Sequence, residues 1–213
     1  MLVPALLFAG PDAEAGSVHG IVRPGQAVGR DAAHPNAYPG RANSLARPDD
    51  ATRGRLADAV IYVETIPDSL APATPQSEPQ LVQENQSYRP RVVAVTAGGS
   101  VSFPNRDPIY HNVFSLSPTR RFDLGKYPRG QTKHVRFERT GVVKVYCDIH
   151  SNMEAFILVV PNGFYTRPND RGEFRLPSLP AGRYTVVAWH PDFGEVRTAV
   201  DVTAEDLQIE LGF

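Results

Sequence analysis

Residues 144–153 read KVYCDIHSNM, and Cys147 within them is the only cysteine among 213 residues. His150 follows at the third position, and Met153 at the third position after that. A thiolate selects soft or borderline metals such as copper, zinc and the iron of iron–sulfur clusters. Adding an imidazole and a thioether narrows the choice toward copper, which accepts two His and one Cys in a plane with a long axial Met. Three of those four ligand types lie in Cys147, His150 and Met153. The missing histidine has an obvious source in NRDPIYHNVFS, where His111 lies 36 residues before the cysteine. That distance leaves room for intervening strands to bring it back alongside.

Each residue alone has a plainer reading. A lone cysteine is commonly a small buried apolar residue and methionine a core filler, while a histidine beside a turn is commonly on the surface. A thiolate and an imidazole can also act as nucleophile and base. That hydrolytic reading offers no oxyanion-hole motif and leaves Met153 without a role. The combination Cys-x2-His-x2-Met after a strand, with His111-Asn112 in a second strand-end segment, favours the metal. His19, His34, His134 and His190 are too scattered to suggest a second cluster. Trp189 and His190 read as a packed aromatic-histidine turn.

The elements that must position these ligands read as strands. Twenty prolines and seventeen glycines, with few amphipathic runs, favour turns and short strands over helices. The formal net charge of −1 gives no electrostatic reason to expect nucleic acid or an acidic membrane surface as partner. A single cysteine cannot form an internal disulfide, so cysteine usage does not report the redox compartment. MLVPALLFAG is a short apolar run, and AEA at Ala13–Ala15 fits a cleavage site before Gly16. It predicts an export signal over 1–15 and a periplasmic or extracytoplasmic location, although no Lys or Arg precedes the apolar run. No later stretch approaches the roughly 18 apolar residues of a membrane span.

Strand patterns occur at 16–23 and 57–66, separated by a Gly/Pro/Ala/Asp/Arg-rich insertion at 24–56 without hydrophobic periodicity. From residue 88 strand signals become dense. YRPRVVAVTAG and SVSFPN are successive strands, and TKHVRFE and GVVKVYC are expected to pair across RTG as a hairpin. AFILVV is apolar enough to be buried on both faces. Beyond 161–164 a smaller unit follows, with turns at NDRG and LPAG and strands EFRL, RYTVVAW, VRTAVDV and LQIEL. The strand pair at 16–66 could extend either sandwich.

Residues 80–160 resemble the cupredoxin family, in its plastocyanin-like and methylamine-utilisation-like bacterial form. The residues that carry the resemblance are VSFPNRDPIYHNVFS, RFDLGKYPRGQTKHVRF and GVVKVYCDIHSNM. It implies a Greek-key β-sandwich, one type 1 copper ion and single-electron transfer between redox partner proteins in the periplasm, without catalysis. The implied ligands are His111, Cys147, His150 and Met153, with His150 as the electron port. Asn112 matches the position that ties the two ligand loops together and shields the thiolate. Tyr110, Phe114 and Tyr146 would line the site or serve as aromatic packing. Residues 162–213 resemble the carboxypeptidase-regulatory or transthyretin-like β-sandwich family through TRPNDRGEFRLPSLPAGRYTVVAWHPDFGE, which implies a stabilising or docking module. The expected fold is therefore all-β: a cupredoxin sandwich followed by a small C-terminal sandwich. A copper-storage or structural module is the other function class, and another soft metal could replace copper.

Overall fold

The computed structural model describes residues 15–25, 55–67, 70 and 78–213. The export signal, except Ala15, and most of the 24–56 insertion lie outside these described residues. The N-terminal segment forms β1 (Ala15–Gly16), β2 (Val18–Arg23) and β3 (Val60–Val63), with a short 3-10 turn at Leu56–Asp58 where the strand pattern had begun. The middle of the chain forms β4 (Val82–Glu84), β5 (Ser87–Arg89), β6 (Val92–Thr96), β7 (Gly99–Pro104), β8 (His111–Ser115) and β9 (Phe122–Tyr127). It continues through β10 (Thr132–Phe137), β11 (Gly141–Tyr146) and β12 (Glu154–Val160). The last segment forms β13 (Tyr165–Thr166), β14 (Glu173–Arg175), β15 (Leu179–Pro180), β16 (Gly182–His190), β17 (Gly194–Val202) and β18 (Leu207–Gly212).

Strands β6 to β12 close a first sandwich. One sheet has the order β6-β12-β11-β8-β9, and β10 pairs with β7 across the core from it. The β4–β5 hairpin lies beside β7, joined by isolated bridges Gln80–Ser102 and Gln83–Asn105. Sequence neighbours are thus split between two sheets, as in a Greek key. The expected hairpin between 132–137 and 141–146 does not form: β10 pairs with β7, and β11 with β12 and β8. Both strands alternate inward, with Val135 and Phe137 on one and Val143 and Val145 on the other, and both fill one core from opposite sheets. The short connection is an arch over that core, with Gly141 at φ 125.

The N-terminal strands join the C-terminal unit. A second sandwich has the sheets β13-β3-β16-β17 and β14-β2-β18, with β1 paired to β15. Its core contains Val18, Ile61, Leu176, Leu179, Val186 and Leu211.

A third apolar layer fuses the two sandwiches. In β12, Ala155, Ile157 and Val159 face the first core, while Phe156, Leu158 and Val160 face Val60, Tyr62, Val187 and Trp189 of the second sandwich. AFILVV is buried on both faces because each of its two side-chain rows meets a different sheet.

Candidate metal centre

Period-two alternation brings the key side chains to one inner face. In β11, Val143 and Val145 point inward, and Cys147 continues their row just beyond the strand. In β8, His111 starts the row that carries Val113 into the same core. Strands β8 and β11 are paired, so both rows end at one edge of the sandwich. Opposite Val113, β9 carries a bulge that places Leu124 and Gly125 between the Asn112–Lys126 and Phe114–Asp123 pairs. Gly125 takes φ 64 there, a left-handed conformation that glycine adopts without a Cβ penalty.

The loop after Cys147 turns back immediately. The Met153 backbone N–H donates to the His150 carbonyl at 3.0 Å and folds His150 over the end of the sandwich. Three donor atoms then form a triangle. His111 Nδ1 and His150 Nδ1 are 3.1 Å apart, and each is 3.9 Å from Cys147 Sγ. Those edges give a circumradius of about 2.1 Å, matching metal–imidazole bonds of roughly 2.0–2.1 Å and close to metal–thiolate bonds of roughly 2.3 Å. The donor set therefore fits one transition-metal ion without rearrangement. Among the described residues this is the one group of three His, Cys, Asp or Glu side chains arranged to hold a metal.

The proton bookkeeping agrees. His111 is fully buried, and its Nε2–H donates to Asp107 Oδ2 at 2.7 Å, leaving Nδ1 bare and facing the triangle. A carboxylate behind a ligating histidine fixes its tautomer and raises its basicity. Asp107 also accepts the backbone N–H groups of Asn85 and Gln86 at 2.6 and 2.8 Å. Burial alone would push the Asp107 pKa up. The Gln86 N–H, His111 and the Asn85 N–H outweigh it and hold the carboxyl below the usual range. Burial, then the neighbouring His111, lowers the His150 pKa against the opposing pull of Asp107, which favours a neutral imidazole with a lone pair to give. The 3.1 Å contact between the two Nδ1 atoms accommodates either one proton shared between the rings or a cation bound between them.

Met153 is 1 % exposed and belongs to the same apolar cluster as Cys147. Asn112 is buried, and its Oδ1 has no hydrogen-bond partner among the described residues. The tie seen between the two ligand-bearing segments is Tyr88, whose hydroxyl lies 3.2 Å from the Asn112 carbonyl and 3.1 Å from that of Tyr146. Burial, then the nearby Cys147, pushes the Tyr88 pKa strongly upward, so the phenol keeps its proton and donates. Phe114 packs against Tyr146 at 5.9 Å between ring centroids, and Tyr110 is exposed. Neither Asp107 nor Tyr88 was singled out from the sequence. Asp107 had one available signal, its position four residues before His111.

A two-sheet Greek-key sandwich with a His–Cys–His triangle at one end defines a cupredoxin-like fold. Solved structures similar to the chain include a Cu-containing nitrite reductase from Thermus scotoductus SA-01, at 20% identity and TM-score 0.37, covering 42% of this chain and 25% of that one. A purple cupredoxin from Nitrosopumilus maritimus is 22% identical at TM-score 0.36, covering 38% of this chain and 99% of that one. A reduced amicyanin variant is 18% identical at TM-score 0.37, covering 48% of this chain and 98% of that one. The chain thus spans about a quarter of the nitrite reductase it matches. No family model and no curated protein matches the chain.

Proposed function

We propose that the chain is a type 1 copper protein that carries single electrons between extracytoplasmic redox partners. The observation that carries this reading is the triangle of two imidazole nitrogens and one cysteine sulfur, sized for one first-row metal. When bound there, copper supplies a one-electron Cu(I)/Cu(II) couple. Cys147, His111 and His150 would hold the ion, the thiolate supplying the strong covalent bond, and Met153 would supply a weak thioether that tunes the potential. The buried core behind Cys147 and the Asp107 brace behind His111 would limit movement of the donors when the oxidation state changes. His150 is half-buried, whereas His111 and Cys147 are buried, so His150 is the route by which an electron leaves. The second sandwich is a stabilising, transthyretin-like module, a role supported by the apolar layer it shares with the first. No helix among the described residues is long and apolar enough to cross a membrane. The AEA site before Gly16 supports export to the periplasm.

Adding Cu(II) to the purified chain is expected to give an intense blue absorption that Cys147→Ala abolishes and Met153→Leu shifts. A colourless protein would sink the type 1 site. Cyclic voltammetry then separates carrier from storage protein: a reversible one-electron wave supports the carrier, and its absence at a coloured site supports storage.

A further inference from the structure

Charge is unevenly distributed along the chain. Between residues 80 and 160, eleven Lys and Arg stand against six Asp and Glu, a net +5, and the rest of the chain is net −6. Part of that excess gathers at the end of the first sandwich remote from the metal donors. The Leu116–Arg121 loop joins β8 to β9 there, beside the start of β11, where a Cβ on Gly141 would meet Thr119 Oγ1 at 3.1 Å. His111 and Cys147 lie at the opposite ends of those same strands, on the order of 15 Å away.

Arg139 reaches across to this loop and donates to the carbonyls of Pro118 and Thr119, which fixes its shape. Arg120, Arg121 and Arg139 then line a recess of about 290 Å³ with Thr119 and Glu138. Glu138 is already engaged by Arg136 at 2.7 Å. Arg120 and Arg121 are exposed and make no ion pair among the described residues. Leu116, in the same loop, is 70 % exposed, the largest exposure of a large apolar side chain among the described residues.

We propose that this basic end docks on an anionic phospholipid surface, with Arg120, Arg121 and Arg139 on headgroup phosphates and Leu116 entering the acyl boundary. Guanidinium groups match phosphate oxygens in bidentate geometry. An anionic leaflet attracts clustered arginines, and its interfacial layer also accepts an apolar side chain. An acidic protein surface would satisfy the arginines but give a solitary projecting leucine no comparable layer to enter. Docked this way, the chain turns its metal-bearing end toward the aqueous phase, open to soluble partners. None of these residues belongs to the metal centre, so the proposal stands apart from the copper reading.

The test is co-sedimentation of the full chain with vesicles of phosphatidylcholine alone and of phosphatidylcholine with one third phosphatidylglycerol. Binding is expected on the anionic vesicles only, weakening as salt rises. Arg120→Gln/Arg121→Gln is expected to bind about thirty-fold more weakly, from a roughly fivefold contribution per arginine. Leu116→Ser weakens binding at every salt concentration. Lys126→Gln/Arg129→Gln removes the same charge from the metal-bearing end and changes binding less than threefold. Arg120→Lys/Arg121→Lys retains most of the affinity, which guards against a folding defect in the glutamine variant. Equal binding to both vesicles, none to either, or equal losses in the two glutamine double variants would overturn the proposal. Retention on immobilised polyglutamate without vesicle binding would overturn it too, and reassign the surface to an acidic protein.

Discussion

Asp107 concentrates three hydrogen bonds on one carboxylate: two from the Asn85–Gln86 turn and one from His111. Asn85 and Gln86 take φ 54 and 52, the paired left-handed conformations of a tight hairpin turn, and their N–H groups point at the carboxylate. Asp107→Asn keeps the shape but removes the charge behind His111. It is expected to weaken copper binding about 10- to 100-fold, read by competition with a chelator. Tyr88→Phe removes the hydroxyl that spans the Asn112 and Tyr146 carbonyls. The apo protein is expected to lose about 1–2 kcal/mol in urea unfolding, one net hydrogen bond plus the cost of a buried carbonyl left unpaired. The meeting of His111, Cys147 and His150 was legible because ligand chemistry restricts residue type and the strand end restricts spacing. Asp107 and Tyr88 were not, because their roles arise only once the β4–β5 hairpin folds against β8, and no local pattern encodes that approach.

Strands show the same division between what is local and what is not. Alternation in TKHVRFE and GVVKVYC announces two half-buried strands, and both occur. It says nothing about which strand lies alongside, since an arch and a hairpin use equally short connections. The continuous apolar run of β12 was more informative, because a strand without a polar face needs cover on both sides. Phe156 is 1 % exposed, lies 6.1 Å from the Trp189 ring, and has the Arg91 guanidinium 5.3 Å from its ring centroid. Phe156→Ala is expected to cost about 3–5 kcal/mol by opening a cavity between the sandwiches. Differential scanning calorimetry should then resolve one transition into two, since the shared layer couples the units. A single transition at a lower temperature would place the coupling elsewhere.

Across the whole molecule, that apolar layer is bordered by a charged cluster that only the tertiary structure assembles. Arg91, leading into β6, makes bidentate bonds of 2.7 and 2.9 Å to Asp192 on the β16–β17 turn, and lies 3.5 Å from Asp58. Asp192 is held by His190, which is 1 % exposed. The His190 Nε2–H donates to the Arg55 carbonyl at 3.0 Å, and its Nδ1 accepts the N–H groups of Asp192 and Phe193. That pattern requires the neutral ring. Burial lowers the His190 pKa despite the opposing Arg55 carbonyl and the Asp192 and Asp58 charges. A histidine with a depressed folded pKa stays neutral while the unfolded chain takes up its proton. Its contribution is therefore complete above the unfolded value of about 6.5 and lost as pH falls toward the lower folded value. Asp58, raised by burial against Arg91 and Arg167, has the opposite sign: its contribution is present below the unfolded carboxylate pKa and lost as pH rises through the raised one. Thermal unfolding of the apo protein is thus expected to shift downward between about pH 7.5 and about pH 5.5. His190→Asn supplies an amide oxygen in place of Nδ1 and cannot titrate, so it should flatten that slope. His150 is also depressed, but it is common to both proteins, and the difference between them isolates His190. An unchanged slope in His190→Asn would move the acid sensitivity from the seam to the metal-binding end.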